Sequence, residues 1–116
     1  MIKIVDRALA VLLILGAGGH LFGSITAHGD SPQTLVWAVS ASVLMVLLGA
    51  LNLLRTKRPD DQAFACITGA GSMCWAALAV AFGVAIHNVL DPRAVANVIF
   101  ALGLAGFSVR TALSSR

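Results

Sequence analysis

The chain is poor in charge. Only 11% of its 116 residues are Asp, Glu, Lys or Arg, whereas 59% are hydrophobic. Its mean hydropathy of +0.92 lies well above that of soluble domains. A soluble core of this length has too little interior to hide so much apolar surface. The scarcity of charge therefore excludes an ordinary soluble domain and predicts an integral membrane protein.

Sequence motifs of enzyme active sites are also missing. There is no glycine-rich phosphate loop, no nucleophile elbow and no HExxH sequence, which excludes the enzyme classes built on them. The two cysteines, Cys66 and Cys74, lie eight residues apart in one hydrophobic run. That spacing neither forms a CxxC redox pair nor allows a disulfide within one helix. We therefore expect a protein that is not an enzyme, with both thiols as small packing residues.

A basic stripe of the kind that binds nucleic acid is absent too. The net charge is +3, but the cations flank hydrophobic runs and are not interleaved with exposed aromatic residues. This pattern predicts no nucleic-acid partner and indicates topology signals instead. We also expect no acidic or basic residue deep in a span, so the sequence predicts no membrane carboxylate of the kind on which four-helix drug exporters depend.

Four hydrophobic runs account for nearly the whole sequence. They cover residues 4–25, 32–54, 62–87 and 92–113. Each is close to the about 20 residues that a helix needs to cross a bilayer core of about 30 Å. Two helix starts are indicated by a capping residue followed by proline, at Ser31-Pro32 and at Asp91-Pro92. The predicted fold class is all-α: one transmembrane domain, residues 1–116, forming an integral membrane four-helix up-and-down bundle.

Basic residues are distributed unevenly between the two sides of this bundle. Only Arg93 falls on one side; the others are Lys3, Arg7, Arg55, Lys57, Arg58, Arg110 and Arg116. The positive-inside rule places the richer side in the cytoplasm. We therefore expect both termini inside, in a multi-pass protein of a bacterial cytoplasmic (inner) membrane.

A faint internal repeat relates the two halves. Residues 14–18 (ILGAG) match residues 67–71 (ITGAG), and Leu48-Gly49 matches Leu102-Gly103. Two tandem helical hairpins related by a pseudo-twofold axis would produce this pattern. Chance similarity between segments rich in Gly and Ala explains it equally well.

Small residues spaced by four also occur, at Gly19-x-x-x-Gly23 and Ala65-x-x-x-Gly69. Such patterns let membrane helices approach closely. They favour packing inside the bundle, or association with a second copy or a partner membrane protein if they face outward. We expect a homo-oligomer or a complex with such a partner within the lipid bilayer.

All three histidines are expected at the outward side. Gly16, His20, Ser24 and His28 are spaced by four and form one ridge of the first helix, and His87 ends the third run. If the first and third helices face each other, these side chains approach one another. The predicted ligand-binding residues are His20, Ser24, His28 and His87, and the three histidines are candidate metal ligands.

Three functions fit this pattern. The first is a small binding or transport-associated subunit with an outward polar pocket for an ion, lipid or small ligand. The second is a structural or accessory subunit of a larger membrane complex. The third is a haem- or metal-binding redox subunit. The residues do not specify a cofactor.

A purely structural role for the histidines is an equally good interpretation. His20 would then bond to a backbone carbonyl or to Ser40, Ser72 or Asn97, with His28 and His87 at the membrane interface. Two asparagines at some depth, Asn52 and Asn97, are predicted to form hydrogen bonds between helices.

Overall fold

The computed structural model describes residues 1–114 of the chain. Four α-helices make up nearly all of this part: α1 (Ile2–His28), α2 (Pro32–Arg55), α3 (Gln62–Ala85) and α4 (Pro92–Ser114). Each is long and apolar enough to cross a membrane. The predicted all-helical class with four spans is confirmed, and the helices begin and end within three residues of the predicted bounds.

The helix starts follow from capping chemistry. Pro32 and Pro92 occupy the first helical positions, where the missing N–H costs no intrahelical bond. Asp61 rather than Asp60 caps α3, because its carboxylate accepts the backbone N–H of Phe64 at 2.9 Å. Asp91 caps α4 by accepting the backbone N–H of Arg93 at 2.9 Å. These acids satisfy backbone donors that would otherwise lack partners.

Helix α3 ends at Ala85, two residues before the predicted end. His87 has a left-handed φ of 54°, and its N–H bonds to the Val84 carbonyl. The Asn88 N–H reaches back to the Gly83 carbonyl at 2.9 Å. This pair of bonds is a Schellman motif, which usually has Gly at the left-handed position. Because His occupies that position here, the sequence pattern did not indicate the stop.

The helices form a ring in which α1 packs on α2 and α4, and α3 packs on α4 and α2. Within residues 1–114, α1 and α3 make no close backbone approach and lie on a diagonal. The Gln62 amide donates to the Ala112 carbonyl, so the start of α3 lies beside the end of α4. We call this end, where α1 begins and α4 ends, the terminal end. The opposite end carries the loops at residues 29–31 and 86–91.

The core is built largely from small residues, which bring the helix axes close together. Eight of its thirteen buried hydrophobic residues are alanines; the whole set in the described chain is Ala10, Leu13, Ala17, Met45, Leu48, Ala65, Trp75, Ala76, Ala79, Ala94, Ala101, Leu104 and Ala105. Large apolar side chains cover the outside, and Phe22 and Trp37 are each 71% exposed. An apolar exterior around a core of small residues is the arrangement expected of a protein solvated by lipid.

The two small-residue patterns face different ways. A Cβ added at Gly69 would lie 3.2 Å from Ser108 Cβ, so Ala65-x-x-x-Gly69 packs α3 on α4. No described atom lies within 4 Å of a Cβ added at Gly19 or Gly23. The first pattern therefore has a packing role, and the second lies on the outer surface of α1.

The proposed repeat is reflected in only some contacts. Gly16 packs against Met45 of α2, and Gly69 packs against Ser108 of α4, so each contacts the other helix of its own hairpin. Gly71 contacts Leu48, whereas Gly18 has open space around it among the described residues. The two hairpins are therefore not packed equivalently, and a tandem origin stays a prediction.

Candidate functional site

His20 and Ser24, two of the predicted ligand-binding residues, lie on the same side of α1. The Ser24 hydroxyl donates to the His20 backbone carbonyl at 2.7 Å, and Ser24 is buried. The imidazole is partly exposed and lies beside the Ala38 backbone of α2. Its Nε2 atom is buried without a hydrogen-bond partner in the described chain.

The partners expected for His20 are engaged elsewhere. The Ser40 hydroxyl donates to the Val36 carbonyl, and the Ser72 hydroxyl donates to the Thr68 carbonyl. Asn97 accepts the indole N–H of Trp75 at 3.0 Å, which ties α3 to α4. Among residues 1–114, His20 forms no hydrogen bond with Ser40, Ser72 or Asn97; of the alternatives, its neighbour is the Ala38 backbone. The predicted interhelical role of Asn97 is confirmed.

The other two histidines are exposed at the opposite end. His28 closes α1, and His87 forms the turn after α3. Because α1 and α3 are diagonal, the condition for gathering the three imidazoles is not met. Residues 1–114 contain no group of three or more His, Cys, Asp or Glu side chains that could hold a metal ion. The described chain therefore does not form the three-histidine metal cluster.

The left-handed backbone conformation of His87 indicates a structural role that can be tested. Replacing His87 with Gly should raise the free energy of unfolding by about 0.5–1 kcal/mol, the left-handed penalty less the entropy that glycine loses. His28→Gly is the matched control and should not stabilise, because His28 lies in a right-handed helix. Chemical unfolding of the two purified variants in detergent measures both values. A less stable His87→Gly protein would contradict this role.

A buried ion pair lies near the terminal end, where the sequence indicated only topology signals. Arg55 is 1% exposed and donates through Nη2 to the Asp6 carboxylate at 2.5 Å. Asp6 is itself buried at 7% exposure. Arg55 is therefore more than a topology signal, because its side chain packs inside the bundle. Asp6 and Arg55 lie in the first turns of α1 and at the last residue of α2, so neither lies deep in a span. Two charges can be buried this way because each neutralises the other.

The guanidinium of Arg55 joins three helices. Its Nη1 donates to the Phe107 carbonyl at 3.2 Å and to the Thr111 hydroxyl at 2.9 Å, both in α4. Its Nε donates to the Asn52 side-chain oxygen at 3.3 Å within α2. With the bond to Asp6 of α1, most of its donors are occupied, which suits the planar fork of Arg better than a Lys ammonium.

Asn52 extends this network into the bundle. It is fully buried, and its amide donates to the Leu48 carbonyl and to the Ser72 hydroxyl of α3 at 3.2 Å. Ser108 of α4 reaches its oxygen at 3.4 Å and pairs with the Thr68 hydroxyl at 3.1 Å. The predicted interhelical bond of Asn52 is thus confirmed. We call the group formed by Asp6, Asn52, Arg55, Thr68, Ser72, Ser108 and Thr111 the polar core.

Part of this core could have been found in the sequence. Met45, Leu48, Asn52 and Arg55 are spaced by three or four, so they share one face of α2. A polar residue on an otherwise apolar inner face signals an interior partner. Nothing local shows that Asp6, 49 residues away, is that partner.

The polar core borders a cavity of about 490 Å³ at the terminal end. Polar members of its lining are Lys3, Asp6, Arg55, Thr56, Arg110, Thr111 and Ser114. Apolar members include Met1, Ile2 and Phe107. Lys3 and Arg110 form no ion pair within residues 1–114. We call this space the terminal cavity; its lining carries three cations and one carboxylate.

The opposite end, unlike the terminal cavity, has no excess of unpaired cations in the described chain. Arg93 is the one Lys or Arg that lies there among residues 1–114, and it is bound to Asp91 through Nε and Nη2, each at 2.9 Å. The side-chain bonds from Arg93, and then its backbone N–H, lower the pKa of Asp91 to about 2. The Asp91 carboxylate therefore stays charged at neutral pH and cancels the cation beside it.

A second space lies on the outside, between α3 and α4. This groove has a volume of about 600 Å³ and an apolar lining of mainly small residues, including Ala70, Ala105 and Gly106. Cys66 lines it, and both cysteines are free and exposed. The thiols, expected as small packing residues, therefore lie on the outward side of α3.

No protein-family model matches the chain, and neither does any curated protein or solved structure. The functional argument therefore starts from the polar core and the terminal cavity.

Proposed function

We propose that this chain is a small multi-pass protein of a bacterial cytoplasmic membrane, and a binding or transport-associated subunit without catalytic activity of its own. Its ligand site is the terminal cavity, and the ligand is an anion. The main support is the buried Asp6–Arg55 pair, which forms a polar wall of the cavity and continues through Asn52 into the bundle. Buried polar groups of this kind in a membrane protein are costly and mark functional sites by default.

The charges of the lining favour an anion. Within the buried pair, Asp6 neutralises Arg55, whereas Lys3 and Arg110 have no acidic partner in the described chain. The hydroxyls of Thr56, Thr111 and Ser114 donate to backbone carbonyls of α2 and α4, so the two cations supply the donors for a ligand. Oxyanions are bound by ammonium and guanidinium donors of this kind. The terminal cavity therefore replaces the outward histidine pocket as the preferred site.

Cysteine labelling tests whether the cavity is open to water and electropositive. Thr111→Cys in a Cys66→Ala, Cys74→Ala background should react with an anionic sulfonatoethyl methanethiosulfonate in membranes. Its rate, relative to a cationic trimethylammonium reagent, should exceed the same ratio at Gln33→Cys by on the order of tenfold, because the local potential concentrates anions. The Gln33 position lies near the opposite end and corrects for the intrinsic reactivity of the two reagents.

A third position controls for lipid exposure. Val43 lies in the middle of α2 and is 52% exposed on the apolar exterior, so Val43→Cys should stay unreactive. If Thr111→Cys reacts no faster than Val43→Cys, the cavity is closed to water and the binding function is wrong. That result would favour the second candidate, an accessory subunit that associates through its outer surface. The open Gly19 and Gly23 surface of α1 is the observation behind that alternative.

A further inference from the structure

We propose that the anion bound in the terminal cavity is the phosphate group of an anionic phospholipid, held between Lys3 and Arg110 beneath the Asp6–Arg55 pair. This inference rests on the proposed function and names its ligand class. Lys3 lies in the first turn of α1 and Arg110 in the last two turns of α4, so the two cations come from helices that pack against each other. Both contribute to the lining of one cavity.

The buried arginine explains why these two cations are the binding groups. Arg55 already donates to Asp6, Asn52, Thr111 and the Phe107 carbonyl. Its role is therefore to hold the wall of the cavity. Lys3 and Arg110 keep their donors available, because no acid pairs with either in the described chain.

The apolar part of the lining favours a lipid over free phosphate. Met1, Ile2 and Phe107 border the same cavity as the two cations, and Met1 and Ile2 are 97% and 50% exposed. A cavity of about 490 Å³ is larger than one phosphate group needs. An amphiphile uses both parts of such a lining, the head against the cations and the glycerol and first methylenes against the apolar side chains.

The distribution of charge along the bundle agrees with this ligand. Seven of the eight cations belong to the terminal end by sequence, and the remaining cation is bound to Asp91. If the terminal end faces the cytoplasm, it meets the leaflet surface that is enriched in anionic lipid. Basic pockets between transmembrane helices on that side are suited to phosphate head groups.

Native mass spectrometry of the whole chain tests the inference. The protein is released from micelles containing equal amounts of phosphatidylglycerol and phosphatidylcholine, and the ratio of the two bound lipids is measured. The unmodified chain should retain phosphatidylglycerol selectively. In a Lys3→Gln, Arg110→Gln protein the selectivity should fall roughly tenfold or more relative to the control below, the order expected for loss of charge-assisted hydrogen bonds.

The matched control is Lys57→Gln, Arg58→Gln. These cations lie at the terminal end but do not line the cavity, so this variant loses the same net charge and the same general attraction to anionic lipid. Equal selectivity in the two double variants would overturn the inference. A Lys3→Arg, Arg110→Lys protein keeps both charges and should retain selectivity; if it loses selectivity while still folded, a site defined by the two cations is also overturned.

Inorganic phosphate distinguishes the two sources of the phosphate group. Added to the same micelles, it should leave bound phosphatidylglycerol unchanged. Displacement at millimolar phosphate would overturn the lipid assignment in favour of a soluble oxyanion. If the lipid tests fail while Thr111→Cys still shows charge-selective labelling, the anion-binding function stands and only the ligand class is wrong.

Discussion

Replacing Arg55 with Met should lower the free energy of unfolding by about 3–5 kcal/mol, the cost of leaving a buried charge without its partner. The change removes the guanidinium from a site where it is 1% exposed. The Asp6 carboxylate then stays buried and unpaired, and the Thr111 hydroxyl and the Phe107 carbonyl lose the bonds that Arg55 donates. Unfolding of the purified protein in mixed micelles, followed by circular dichroism, measures the loss.

A second substitution separates the charge effect from packing. Adding Asp6→Leu to Arg55→Met should restore most of the lost stability, because replacing both members of a buried pair with apolar residues is often nearly neutral. Arg58→Met is the matched control. The Arg58 side chain is 55% exposed, and its ion pair with the Asp61 carboxylate is long, at 4.0 Å. The loss of this exposed pair should cost no more than about 1 kcal/mol. Equal losses for Arg55→Met and Arg58→Met would contradict the buried pair.

Replacing Gly49 with Ala should cost about 1–3 kcal/mol, the usual range for overpacking a closely packed interior. A Cβ at this position would lie 2.8 Å from the Ala10 backbone oxygen and 2.5 Å from Ile14 Cγ1. The backbone oxygen cannot move without shifting α1, so the α1–α2 interface must open. Thermal unfolding in detergent, compared with the unmodified chain, measures the effect.

Two other glycines provide controls in the same fold. At Gly106 a Cβ meets no described atom within 4 Å, so Gly106→Ala should be neutral or stabilising by up to about 1 kcal/mol. At Gly103 the nearest atom is Leu9 Cδ1 at 2.6 Å, the end of a flexible side chain that can turn away. We expect Gly106→Ala to be the most stable of the three variants, Gly103→Ala to be intermediate and Gly49→Ala to be the least stable. A stable Gly49→Ala protein would show that α1 and α2 do not approach as closely as described.

The positions of the histidines show where local patterns stop being informative. Spacing by four correctly places His20 and Ser24 on one side of α1. In an up-and-down ring, however, sequential helices are neighbours, and α1 and α3 become diagonal. His20 could approach His87 only if α1 and α3 were adjacent in the ring. The order of helices around the ring is a tertiary property, and it decides which ridges meet.

The buried ion pair shows the same limit from the other direction. Arg55 lies in the basic segment that ends α2, where a flanking cation normally reaches water. Its inward position depends on Asp6, on the α4 acceptors and on Asn52 one turn before it. Only Asn52 is close in sequence. A cation at a helix end can therefore be a topology signal or a packed residue, and the choice depends on what neighbouring helices offer.

By itself, the sequence determined the number of helices, their approximate bounds and the apolar character of their exterior, because hydropathy, proline and capping residues act locally along the chain. Only the tertiary structure decided which residues are brought together: Asp6 with Arg55, Asn52 with Ser72, and Lys3 with Arg110 around one cavity. The physical reason is that a buried charge or amide needs a partner but does not specify which one. Partners up to 56 residues apart meet only after the helices have packed.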